Sequence, residues 1–254
     1  MKKQVTFRFY EELNDFLSFD KKKVAFVHSF TGNPSIKDMI EAIGVPHVEV
    51  DLILVNGKAV DFNYIVKNDD RVSVYPVFET LEISGVSHFW EKPLRETKFI
   101  LDVHLGKLAK HLRMLGFDTT YRNDYDDKEI IRISLEEHRI ILTRDIGLLK
   151  VKTVTHGYFM RSQKPKVQLT EVLTHFDLYQ AIDPFSRCIK CNGKLEPVEK
   201  EEIIQQLEPL TQKYFDKFFR CTNCQSLYWE GSHFESIKNF INSIKNPAEE
   251  NIQG

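Results

Sequence analysis

Only four cysteines, two tryptophans and four methionines occur among the 254 residues. The cysteines are not spread as a disulfide framework but sit in two C-x-x-C pairs, the arrangement expected of metal ligation in a reducing compartment. No apolar run is long enough to span a bilayer. The start, MKKQVTFRFYEEL, has two lysines but lacks the apolar stretch of a secretory signal, so a cytoplasmic protein is expected. Neither sign of charge dominates: 35 Lys and Arg stand against 37 Asp and Glu, a formal net charge of -2. That balance excludes nucleic-acid binding by bulk charge and leaves only a local patch. The glycines make neither a Walker loop nor a dinucleotide fingerprint, and G-x-S-x-G is absent. Internal repeats and low-complexity blocks are missing as well.

With a hydrophobic content of 42%, the chain can build a substantial core, and its length suits two or three folding units. Val5, Phe7 and Phe9 alternate with polar residues as in a half-buried strand, and KKVAFVHSF reads as a second. NPSIKDMIEAIG predicts a helix, with Ser35 and Asp38 at capping-box spacing, Ile36, Met39, Ile40 and Ile43 on one face, and Gly44 at its end. Asn56 and Gly57 in VDLILVNGKAVDF suit a type I′ hairpin turn. DRVSVYPVF closes a small mixed sheet wrapped around one helix. Residues 83–97 lack periodicity and are placed as a linker after a first domain at 1–82.

From Phe99 onward, short apolar runs alternate with helices. FIL, DTTYR, RIILT and TVTHGYFM look like strands; LGKLAKHLRMLG, DDKEIIRISLEEH and KVQLTEVLTHF look like the helices between them. Unbroken apolar runs such as Ile140 to Leu142 suit a mainly parallel sheet covered on both faces, placed at 98–182. The carboxyl ends of such strands share one edge, outside which ligands bind. Asp102 follows FIL, Asp145 follows IILTR, and Asp124, Asp126 and Asp127 follow DTTYR. Capping would account for any one of them, because an Asp before a helix accepts backbone N–H bonds. Together they repel, by roughly 4 kcal/mol for two carboxylates about 4 Å apart at moderate dielectric, and so call for a cation. Oxygen ligands suit Mg2+ or Mn2+, and such sites perform phosphoryl chemistry. Lys107 opposes the dipole of its helix, a cost that a nearby polyanion would offset. Arg144 and Arg161 are further candidates for phosphate contact, whereas Lys110 reads as an ordinary solvated lysine. Aspartyl phosphatases want a second Asp two residues after the first, where this chain has His104. The acidic pair and later lysine of receiver domains are also missing.

Cys188 and Cys191 in CIKC, with Cys221 and Cys224 in CTNC, form a four-thiolate Zn2+ signal of the ribbon type, closed and therefore structural. The ribbon is placed at 183–236 and a polar tail at 237–254. Tyr228, Trp229 and Phe234 lie close to it, as core packing or as a surface for stacking an unpaired base.

The stretch FILDVHLGKLAKHLRMLGFD, continued by DDKEII, RIILTRDIGLL and THGYFMRS and then by the two cysteine pairs, resembles the Mut-seven carboxy-terminal RNase family, PIN-like nucleases with a zinc ribbon. The first eighty residues resemble the ubiquitin-like β-grasp domain often fused ahead of it. The resemblance implies an α/β fold: a β-grasp (α+β) domain, then a PIN-like α/β/α parallel-sheet domain with a carboxy-terminal zinc ribbon. It also implies a ribonuclease holding Mg2+ or Mn2+ through Asp102, Asp127 and Asp145, with Asp124 in an outer role. Asp127 is chosen because related sequences place an Asp three residues before the first apolar residue of the second helix, here Ile130. VFETLEISG has no terminal Gly-Gly, so sulfur transfer and conjugation are not expected of the β-grasp unit, and docking of RNA or a protein is. The alternative is a non-catalytic RNA-binding or adaptor protein.

Overall fold

The computed structural model describes residues 2–76, 97–229, 231 and 239. They belong to two compact units, Met1–Glu96 with Asp126–Phe159 and Thr97–Tyr125 with Met160–Gly254. The chain is α/β: a mixed sheet comes first, then parallel strands with helices, then a small sheet that carries cysteines. The expected linker, apart from residue 97, the expected tail, apart from residue 239, and Phe234 lie outside the described residues.

The first unit opens with β1 (Lys3–Phe9), β2 (Phe26–Phe30), α1 (Ile36–Ile43), β3 (Val50–Val55), β4 (Lys58–Ala59) and β5 (Asp70–Pro76), joined in the sheet order β2-β1-β5-β3-β4. β1 runs antiparallel to β2 and parallel to β5, with Val5 opposite both His28 and Asp70. The alternation in β1 buries Val5, Phe7 and Phe9 against Ile36, Met39 and Ile40 of α1. Ser35 caps that helix by accepting the Asp38 N–H at 3.1 Å, and Gly44 ends it at φ 134°. Asn56 and Gly57, at φ 51° and 80°, make the β3–β4 turn.

In the second unit, β6 (Lys98–Leu101) leads through a tight turn at Val103–Leu105 into α2 (Gly106–Met114) and then β7 (Asp118–Thr120). β6 and β7 pair in parallel, with Phe99 opposite Thr119. The expected apolar stripe of α2 is buried at Leu105, Leu108, Ala109, Leu112 and Leu115. β7 is shorter than DTTYR because Tyr121 leaves the strand and donates its hydroxyl to the Val103 carbonyl at 2.9 Å.

The chain then returns to the first unit with α3 (Asp127–Glu137), β8 (Ile140–Thr143), α4 (Ile146–Leu149) and β9 (Gly157–Phe159). β8 is buried throughout and pairs in parallel with β9, Leu142 opposite Tyr158. Within this unit the β-grasp residues hold the β9 region directly. His47 Nε2 lies 2.9 Å from the Val154 carbonyl, Lys150 donates to the Glu41 carbonyl at 2.8 Å, and the Phe159 N–H donates to Glu49 at 2.6 Å. A carboxylate thus meets the N–H of a strand residue.

α5 (Pro165–His175) completes the second unit's helical layer, with Pro165 in its first turn and Leu169, Val172 and Leu173 buried; it packs against α2. At its end, burial and then the charge of Arg161 push the His175 imidazole down to about 4 from an ordinary 6.5. The unfolded chain takes up a proton near 6.5 and the folded chain only near 4, so this contribution is complete above 6.5 and is lost as pH falls through that window. Urea unfolding should show stability falling by up to about 3 kcal/mol across it, and His175→Phe should flatten the fall.

The remaining elements are β10 (Leu195–Val198), α6 (Lys200–Ile203), α7 (Pro209–Tyr214), β11 (Phe218–Cys221) and β12 (Leu227–Trp229). The three strands form an antiparallel sheet in sequence order, over a small core of Ile203, Leu207 and Phe218 that includes part of Trp229.

Candidate functional site

Both C-x-x-C segments fold as tight turns whose backbone presents sulfur to a common point. In the first, the Asn192 N–H donates to the Cys188 carbonyl at 2.9 Å and the Cys188 N–H to the Gly193 carbonyl at 2.8 Å; in the second, the Gln225 N–H donates to the Cys221 carbonyl at 3.1 Å. Asn192 and Gln225 take left-handed φ values of 66° and 58° to turn the chain back. The turns are tied together by the Thr222 N–H, which donates to the Lys194 carbonyl at 3.0 Å. The sulfurs of Cys188, Cys191, Cys221 and Cys224 all lie within 4.8 Å of one another. Cys188 to Cys224 is 3.6 Å and Cys191 to Cys221 is 3.4 Å. A tetrahedron of thiolates around Zn2+ has sulfur edges of about 3.8 Å, whereas a disulfide would need about 2.0 Å. The donor set and its spacing therefore fit a structural metal such as zinc.

Close approach requires a glycine: a Cβ on Gly193 would sit 2.8 Å from the Cys221 sulfur. Hydrogen bonds from the Ser226 hydroxyl and N–H draw the Cys224 thiol down to about 6, while burial pushes the Cys191 thiol up to about 12. Tyr228 places its hydroxyl 3.0 Å from the Cys188 sulfur, and Trp229 packs on the small core.

The first cysteine turn is fastened to β7 by side chains. Asn192 accepts the Thr119 N–H at 2.9 Å and donates to Asp118 at 2.8 Å, and Arg187 pairs with Asp118 at 3.0 Å. Arg113, buried within α2, donates to the Ile189 and Lys190 carbonyls at 3.2 and 3.0 Å and to the Thr119 carbonyl at 2.8 Å. Its guanidinium thus takes the place of a strand partner on one side and of water on the other.

The acids take up local positions one by one. Asp102, only 7% exposed, accepts the His104 N–H at 2.8 Å at the turn after β6. Asp145, exposed after β8, accepts the Gly147 N–H at 2.6 Å at the start of α4. Asp126 rather than Asp127 caps α3, accepting the Glu129 N–H at 2.8 Å; Asp127 is the exposed first residue of that helix. Asp124 is exposed and held by Arg122 at 2.6 Å, a contact that lowers its pKa. Among the described residues, the four cysteines are the one group of three or more Cys, His, Asp or Glu ligands close enough to share an ion. Lys107 is exposed on α2. Arg144 keeps a buried Nη1 with no hydrogen-bond partner among the described residues, and the Arg161 N–H donates to Glu171 at 3.0 Å.

A family model described as the Mut7-C RNAse domain matches residues 97–241, and one described as Mut7-C ubiquitin matches residues 2–82. No curated protein and no solved structure matches the chain. No helix of the described residues is long and apolar enough to cross a membrane.

Proposed function

Because this chain belongs to the Mut7-C RNAse domain family, we propose that it is a metal-dependent ribonuclease in which Asp102, Asp127 and Asp145 hold Mg2+ or Mn2+ for hydrolysis of RNA phosphodiester bonds. The observation that carries this reading is the family match over the stretch that holds Asp102, Asp127 and Asp145, where the Asp102 carboxylate, 7% exposed, stands at the end of β6. Carboxylate oxygens suit hard divalent ions. When bound, the ion would supply an activated water and neutralise charge on the phosphate. The chain's own contribution is orientation: the N–H bonds from His104 and Gly147 fix the carboxylates of Asp102 and Asp145 on rigid turns at strand ends. Asp127 has no capping duty, since Asp126 performs it. Asp124, turned by Arg122, is assigned an outer role. Lys107, Arg144 and Arg161 are assigned to phosphate contacts; the unpartnered Nη1 of Arg144 is a donor seeking an acceptor.

The four cysteines are assigned one structural Zn2+. The division proposed is a β-grasp domain at 1–82, a nuclease domain at 98–182 and a ribbon at 183–236, in a cytoplasmic protein whose β-grasp unit docks RNA or a protein.

Purified protein should shorten single-stranded RNA when Mn2+ or Mg2+ is added and should stop when the ion is chelated; an absence of product at any metal concentration would remove the enzyme assignment. One observation favours a second reading, a non-catalytic RNA-binding adaptor: Asp102 and Asp145 already serve as caps. An adaptor would bind RNA with an affinity that falls with salt, is unaffected by added Mn2+, and yields no shortened product.

A further inference from the structure

The first cysteine turn does more than hold metal. Between it, the start of α2, the residues after β7 and the start of α5 lies a cleft of about 760 Å3, within one unit of the molecule. Among the described residues no Asp or Glu lines this cleft, whereas Lys107, Lys110, Arg113, Arg122 and Lys190 do. Two of these cations are engaged: Arg113 by backbone carbonyls, including that of Lys190, and Arg122 by Asp124. Lys107, Lys110 and Lys190 are exposed and have no carboxylate partner among the described residues. Ammonium groups gathered without counter-charge repel one another, and an anion in the cleft would relieve that repulsion. Arg113 makes the arrangement rigid, because it joins the turn bearing Lys190 to the helix that bears Lys107 and Lys110. The remaining walls supply His104, Tyr121, Asn123 and Gln163, which suit base edges and rings better than they suit an acidic peptide. The volume falls in the range of small-ligand pockets, room for a short single-stranded stretch rather than a duplex.

We propose that this cleft binds the phosphates of single-stranded RNA through Lys107, Lys110 and Lys190, so that the cysteine turn is a substrate-binding element as well as a metal-held one. The inference rests on the ribonuclease reading for its substrate class alone. The test is fluorescence anisotropy of the full chain with a short labelled oligouridylate, without added Mn2+ or Mg2+, across a salt series. Each of Lys107→Gln, Lys110→Gln and Lys190→Gln should weaken binding several-fold and lower the logarithmic salt slope by about 0.7, the value per phosphate on a single strand. The triple variant should lose at least about a hundredfold, with unchanged metal content, while Lys213→Gln on α7, exposed and away from the cleft, should bind like the parent. Equal binding by parent and triple variant would overturn the assignment, as would displacement of RNA by polyglutamate at equal charge. Because cleavage is not read, RNA that binds through these lysines but is never cut would contradict the nuclease proposal and leave this one standing.

Discussion

Asp102→Asn is expected to reduce metal-dependent RNA cleavage at least about a hundredfold, because residues that merely orient metal ligands already account for tenfold to a hundredfold effects and Asp102 is proposed as a ligand itself. The same substitution should leave the fold almost as stable as the parent. Asparagine keeps an oxygen in place to accept the His104 N–H, so the cap, worth about 1 kcal/mol, survives while the negative charge disappears. Asp102→Ala removes both, and should lose activity and about 1 kcal/mol of stability together. The pair of variants separates the two duties of one side chain. If capping were all that Asp102 did, Asp102→Asn would cut RNA as the parent does, and its activity measured beside Asp102→Ala would reveal this at once.

Cys221→Ser should take the chain from one tightly held metal ion to none and unfold the cysteine-bearing sheet. Cys221 is fully buried at the end of β11, and its sulfur lies among the other three. A serine hydroxyl is a much poorer zinc ligand than a thiolate, and a structural site of this kind contributes on the order of 10 kcal/mol to folding. The local core cannot compensate, for it comprises Ile203, Leu207 and Phe218 with a few half-buried neighbours. Loss should spread to β7, whose Thr119 N–H and Asp118 carboxylate are met by Asn192 and Arg187 of the first cysteine turn. Elemental analysis together with amide exchange at Thr119 would check both parts. Retained zinc, or a Thr119 amide still protected after the metal has gone, would show that the sheet stands without its sulfur cluster.

What could be read in the sequence was governed by short-range chemistry. The Ser35 cap, the Gly44 stop and the Asn56-Gly57 turn need only their neighbours, and all three appear as expected. The stripe of α2 needed only helical periodicity, and the cysteine cluster only thiolate spacing. Strand ends were less legible. Tyr121 looks like a strand residue, yet its hydroxyl is drawn to Val103, 18 positions away. α3 ends on His138 in a left-handed conformation where a glycine would have announced the stop. The cap at α3 falls on Asp126, one residue before the acid chosen for metal binding, because adjacent aspartates offer the same local signal. Arg113 was not legible at all: it sits on a helix pattern of its own, and its partners lie 76 and 77 residues further on. Lys110 and Lys190 were missed for the same reason. A lysine in a cysteine turn and another on a helix face look like solvated side chains until the fold gathers them around one cleft.

The carboxylate-bound metal is the centre of the proposal, and anomalous diffraction from crystals soaked in Mn2+ addresses it most directly. A Mn2+ peak is expected within about 2.5 Å of carboxylate oxygens from Asp102 and Asp145, with a third acid, Asp127, in its shell. Mn2+ at saturating concentration with no peak at these carboxylates would contradict it.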